Sequence, residues 1–299
     1  MLKKILIGAA VVGLAVVQLA GCGKQASGLD TTSVNQSTEG SVSSAAGDSI
    51  AISSAVNSPA GVGSLGLAVL GSTPSCPQVT KALIASNPAT YAVSVNFGNG
   101  CIPPAGSFAA VTTSGNVTMT VTLITNTTTG KVTQETIDAN VAIVRTRWDG
   151  ASLLISGTTD ITKNLTWSGG SLSDVTSAVT VNEERIASTA VGRVVMHHVI
   201  DLGFTYDDSI TGGVVTQRVV NGSGTVDHRL AQVTAAVTIS GLTMVQGCCH
   251  PVDGSIGIVL TRDSNGSLIG SYSLVYAGNG QCSDTAMLDG HQITLDPCD

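Results

Sequence analysis

The run Val117-Thr118-Met119-Thr120-Val121-Thr122-Leu123 places threonine at every even position and a larger apolar residue at every odd one. A period of two fits a pleated strand, whose successive side chains point to opposite faces, and cannot be laid along one side of a helix. In Tyr91-Ala92-Val93-Ser94-Val95-Asn96-Phe97 the large apolar residues again keep to odd positions. β-branched residues at this spacing predict strands with one covered and one polar face. The same reading predicts strands at 139–147, 152–157, 161–167, 177–182, 192–204, 214–220, 224–240, 254–261, 268–276 and 292–295. Asp149-Gly150, Asn221-Gly222 and Asn265-Gly266 read as tight turns, because their glycines accept the positive φ that two-residue hairpins need. The best helical candidate is the short stretch 78–86, just before Asn87-Pro88. The expected fold class is all-β: a large antiparallel meander, curled over its own apolar side or sandwich-like, with little helix.

Aromatic residues make up only 3% of the chain, so the core of such a sheet must be built from Val, Ile, Leu and Ala. The same scarcity weighs against a carbohydrate-binding face, which stacks sugars on exposed rings.

The first residues follow a different plan. Lys3 and Lys4 precede an uncharged apolar run, 5–17, which ends in small residues before Cys22. This is the layout of an export leader, and its apolar core is shorter than the roughly 20 residues needed to span a bilayer. Leu19-Ala20-Gly21-Cys22 resembles the lipobox of bacterial lipoproteins at all four positions. The resemblance implies diacylglyceryl transfer to the Cys22 sulfur, cleavage before Cys22 and acylation of the new amino group. It therefore implies a protein of the bacterial cell envelope, held on a membrane by the lipid on Cys22. Several acyl chains on one residue anchor stably where one holds only marginally. Gly23 stands where an aspartate often retains such proteins in the inner membrane, which favours the outer membrane.

Three segments are expected: a leader at 1–21, a lipidated cysteine and tether at 22–60, and a single all-β domain at 61–299. The tether is rich in Ser, Thr, Gly and Ala and has no aromatic residue, so it has too little apolar area to offset the entropy of ordering. As a coil it would span about 35 Å. Without Lys3 and Lys4, 11 of the 13 basic residues remain against 20 acidic ones, a net charge of −9. No basic run survives, which disfavours nucleic acid as a partner.

Seven cysteines include Cys22; the other six are Cys76, Cys101, Cys248, Cys249, Cys282 and Cys298. An even number in an exported chain reads as disulfides. Adjacent Cys248 and Cys249 point apart on a strand and cannot easily bond each other, so each must reach elsewhere, with Cys282 and Cys298 nearest in sequence. That leaves Cys76 for Cys101. No Cys-x-x-Cys spacing, zinc motif or cofactor fingerprint occurs, and no metal or cofactor is expected.

Catalytic signals are equally sparse. No Gly-x-Ser-x-Gly elbow or Ser-x-x-Lys motif is present. His197 and His198 fall on opposite faces of one predicted strand, and His228 has charged neighbours on alternate faces. The doublets Glu183-Glu184 and Asp207-Asp208 read as solvated, turn-like segments, and Asp263-Ser264-Asn265-Gly266 as a hairpin turn rather than a calcium loop.

Tyr91 to Cys101 and Tyr272 to Cys282 echo each other, each running from a strand through Gly-Asn-Gly to a cysteine. The first copy, with Gly115-Asn116-Val117-Thr118 after it, resembles a pattern in uncharacterised all-β bacterial lipoproteins. There a strand ends in Asp-Phe-Gly-x-Gly-Cys and an Arg-x-Gly strand follows. Here Asn96 replaces the aspartate, and Thr113-Ser114-Gly115 lacks the arginine. The tail, with Cys249, 254–260, Cys282 and Leu295, resembles the closing hairpins of such proteins. The resemblance implies a broad antiparallel sheet and brings no activity. The expected role is a non-enzymatic structural or interaction module whose partner is an envelope protein. The alternative is a carrier that holds a lipid or other apolar ligand.

Overall fold

The computed structural model describes residues 77–101, 111–248, 250–283 and 285–295. Thirteen strands form one sheet: β1 (Gln78–Ser86), β2 (Ala89–Cys101), β3 (Val111–Thr125), β4 (Val132–Arg147), β5 (Ser152–Ser168), β6 (Ser171–Ser188), β7 (Val194–Thr211), β8 (Val214–His228), β9 (Val233–Val245), β10 (Asp253–Arg262), β11 (Leu268–Ala277), β12 (Thr285–Leu288) and β13 (His291–Thr294). Each strand pairs antiparallel with the next and with no other, so the sheet is a pure meander that is not closed into a barrel. The all-β expectation holds, and the described residues contain no helix. The longest strands run 18 residues, about 60 Å at roughly 3.3 Å per residue.

Alternation decides what faces where. In β6 the buried positions are Val175, Ser177, Val179, Val181, Glu183, Arg185 and Ala187, every second residue without a break. In register across the sheet, Val121, Ile137, Ile161, Val179 and Phe204 stand side by side on one face. They belong to a single apolar cluster reaching from β2 to β10. Among the described residues no second layer covers this face. One continuous sheet therefore carries the whole apolar cluster.

Glycine marks two places where neighbouring strands leave no room for a side chain. Gly157 in β5 has φ +151° and an inward side on which a Cβ would lie 2.1 Å from the Asn182 carbonyl oxygen and 2.7 Å from the Glu183 Cα. Gly224 in β8 has φ +158° and the same relation to Asp201 and Leu202 in β7. At both places the backbone of the paired strand stands where a Cβ would be, and only a residue without Cβ leaves room. Gly157→Ala should therefore cost about 2–3 kcal/mol of stability, read as a lowered urea midpoint.

Several local expectations are corrected. The helical candidate at 78–86 is strand β1, an edge strand paired with β2. Nonlocal pairing gives it the backbone hydrogen bonds that a helix of that length could hold only weakly. Asn221-Gly222 is no turn; it lies inside β8, where Gly222 packs against Phe204, and the hairpin comes at 229–232. Accordingly 224–240 divides between β8 and β9, whereas 152–157 and 161–167 join as β5. The turns at Asp149-Gly150 and Asn265-Gly266 are present: Gly150 N–H donates to the Arg147 carbonyl and Gly266 N–H to that of Arg262.

Candidate functional site

The inner face carries two groups of buried charge, one towards each end of the apolar cluster. Glu135 in β4 and Lys163 in β5 are register partners, and Lys163 Nζ donates to Glu135 Oε2 at 2.9 Å. Burial pushes the Lys163 ammonium below its ordinary value, against the opposing pull of Glu135 and Asp208. Beyond Ser177 and Tyr206, Asp208 in β7 pairs in register with Arg218 in β8, whose Nε and Nη2 donate at 2.6 and 2.7 Å. Burial works against the Arg218 charge, but its bonds to Asp208 outweigh this and hold its pKa up. The Tyr206 phenol is pushed up, chiefly by burial, and its oxygen has no hydrogen-bond partner.

The second group lies at the other end. Arg185 donates from Nε and Nη2 to Glu183 Oε2 at 3.0 and 2.7 Å. Its register partner is His198, which in turn faces His228 with Nε2 2.9 Å from His228 Nδ1. Burial first, then the charges of His228, Arg185 and His197, lowers the pKa of His198 to about 3. Burial lowers that of His228 to about 4, opposed by Asp263. Both imidazoles are neutral at pH 7, so one nitrogen donates and the other accepts.

These groups overturn the turn-like reading of the acidic doublets. Glu183 and Asp208 are buried strand residues, while their neighbours Glu184 and Asp207 point outward from the same strands. Parity with Val179 and Val181, and with Phe204 and Tyr206, carries the signal that polarity alone hides. His197 and His198 do face opposite ways: His197 meets Glu184 outside at 2.7 Å, and His198 turns in. The His198–His228 pair joins residues 30 apart, which no local motif announces.

The outer face is built differently. Thr118, Asn140, Thr158, Asn182 and Asp201 stand in one register row, and Thr120, Asp138, Asp160 and Thr180 in the next. Asp138 and Asp160 are direct cross-strand partners, an arrangement of like charges that is normally unfavourable. The Asp160 carboxyl is held above its usual range by burial and by Asp138. A shallow groove of about 290 Å³ crosses this face over β1–β4, lined by Thr80, Ser94, Thr118, Thr120, Asp138 and Asn140 among others. Every Lys and Arg of β4–β8 (Arg145, Arg147, Lys163, Arg185 and Arg218) occupies an inward position.

Of the expected cysteines, Cys248 is bonded to Cys282, closing a separation of 34 residues. A loop of that length contributes roughly 4 kcal/mol in chain-entropy terms. Cys101 is also disulfide-bonded. Cys22, Cys76, Cys249 and Cys298 lie outside the described residues. Among the described residues no group of three or more His, Cys, Asp or Glu side chains is placed to hold a metal. The chain matches no protein-family model, no curated protein and no solved structure.

Proposed function

We propose that this chain is a lipid-anchored, non-enzymatic protein of the bacterial envelope that works through its surface. The carrying observation is the separation of charge across the sheet. Basic residues of the central strands β4–β8 take inward positions, where Lys163, Arg185 and Arg218 meet carboxylates. Asp138, Asp160, Asp201 and Asp207 remain outside on a hydroxyl-rich face. Most of the buried charges are nearly closed to solvent. Their pairing serves the interior; the hydroxyl and carboxylate rows face outward.

The test uses residues 22–299 with Cys22→Ser, exported behind an ordinary cleavable leader. Native mass spectrometry is expected to give the bare polypeptide mass. A retained apolar adduct, shed on collisional activation, would overturn the surface reading in favour of a ligand carrier. The anchor is checked separately: radiolabelled palmitate should enter the wild-type chain and be absent from Cys22→Ala. An unlabelled wild type would remove lipidation.

A further inference from the structure

A meander puts alternate turns at opposite ends of its sheet. The turns β4–β5, β6–β7, β8–β9 and β10–β11 therefore share one rim. Each presents one large apolar side chain to solvent: Trp148 at 79% exposure, Val191 at 90%, Leu230 at 57% and, at the start of β11, Leu268 at 68%. Hairpin tips are ordinarily polar, since nothing covers them. On the opposite rim the turns at 126–130, 169–170 and 212–213 are polar or glycine at their tips, and its exposed apolar residues, Leu83, Ile84, Ile124 and Trp167, lie within strands, Trp167 under the Lys131 ammonium at 4.7 Å.

Charged side chains stand beside the tips. Beside the apolar tips lie Arg147, Arg193, Arg229 and Arg262. Two carboxylates of this rim are paired with arginine and two accept hydrogen bonds from neutral donors. Asp149 is held by Arg147, Asp227 is 3.1 Å from Arg229, Asp263 accepts from Thr234 Oγ1 at 2.9 Å, and Asp289 accepts from the Ser273 N–H at 2.7 Å. Arg193 and Arg262 are exposed and have no acidic partner among the described residues. Elsewhere the exposed lysines Lys81 and Lys131 are stacked on Tyr91 and Trp167.

We infer that this rim docks on an anionic phospholipid surface. Trp148, Val191, Leu230 and Leu268 enter the headgroup region while Arg193 and Arg262 pair with phosphate. Apolar tips interleaved with guanidinium groups suit that boundary, because the interface takes aromatic and aliphatic side chains at its apolar depth and pairs arginine at its surface. A protein partner with an acidic face would attract the arginines but gives no reason for isolated apolar residues at successive tips. The strongly acidic remainder of the chain is repelled by the same membrane, so charge also sets which end approaches. The inference rests on the anchored reading for its setting: the lipid on Cys22 keeps the domain nearby, and the rim decides how it faces.

The test removes the lipid so that the rim acts alone. Residues 22–299 carrying Cys22→Ser are mixed with vesicles of phosphatidylethanolamine and phosphatidylglycerol, and with vesicles of phosphatidylcholine only, then sedimented. Binding is expected on the anionic vesicles, weakening as salt rises. It should fall about ten-fold or more in Trp148→Ser/Leu230→Ser/Leu268→Ser and in Arg193→Glu/Arg262→Glu. In a Trp167→Phe background the Trp148 emission should shift to the blue on binding. The substituted tips are exposed, so unchanged urea midpoints will show that the variants fold. Equal sedimentation with and without the tip substitutions, or no binding to anionic vesicles, overturns the inference. So does self-association abolished by the same substitutions without vesicle binding, which would assign the rim to a protein contact. Palmitate labelling of the wild-type chain is independent of all these outcomes and judges the anchor by itself.

Discussion

Lys163→Met is expected to lower the stability of the domain by about 3–5 kcal/mol, a large part of the roughly 5–15 kcal/mol that holds a typical domain together. The substitution keeps most of the apolar stem and removes the ammonium. Glu135, 3% exposed, then loses the ammonium that stands 2.9 Å away. Two desolvated charges that face each other are nearly neutral in sum, but one alone is not. The double variant Glu135→Leu/Lys163→Met should therefore recover most of the loss. Urea unfolding of the wild type, both single variants and the double variant gives the coupling energy directly. A coupling below about 1 kcal/mol would place the pair in the class of solvated surface bridges and contradict its burial.

The sheet was legible because its signal is local. Alternation such as that of 117–123 needs only neighbouring residues, and it places each side chain on the correct face of β3. What escaped was whatever the register decides. Glu183 and Asp208 were read as solvated because each stands beside another acid. Their burial follows from the strand continuing past Val181 and Tyr206. Asn221-Gly222 has the chemistry of a turn, yet in β8 the missing Cβ admits the Phe204 ring instead, so packing between strands overrides a local preference. That one displaced hairpin also hides the rim. With the turn at 221–222, Leu230 falls in mid-strand; with it at 229–232, Leu230 becomes a tip on the same side as Trp148 and Val191. The His198–His228 pair depends wholly on how β7 and β8 align. Cys248–Cys282 was narrowed by geometry because adjacent cysteines exclude each other, a local rule again.

Stability should fall steeply in mild acid, and the two buried histidines should account for much of it. In the unfolded chain each titrates near pH 6.5, whereas in the folded chain burial lowers His198 to about 3 and His228 to about 4. Between those limits the unfolded state binds more protons than the folded one, so acid favours unfolding. The stabilisation is fully present above pH 6.5 and is lost progressively as the pH falls towards 3–4. By pH 4 the pair should cost on the order of 5 kcal/mol, allowing for the coupling of the two rings. The surroundings reinforce the sign at His198. Arg185 faces it in register and His197 adds like charge, while Asp263 opposes the shift at His228 only in part. Urea unfolding of the wild type and of His198→Leu/His228→Leu, at intervals from pH 7 to pH 4.5, isolates this contribution. The wild-type curve should slope down across that range and the variant should be much flatter. Parallel curves would mean that the two imidazoles accept protons in the folded state, with the sheet opening to water around them.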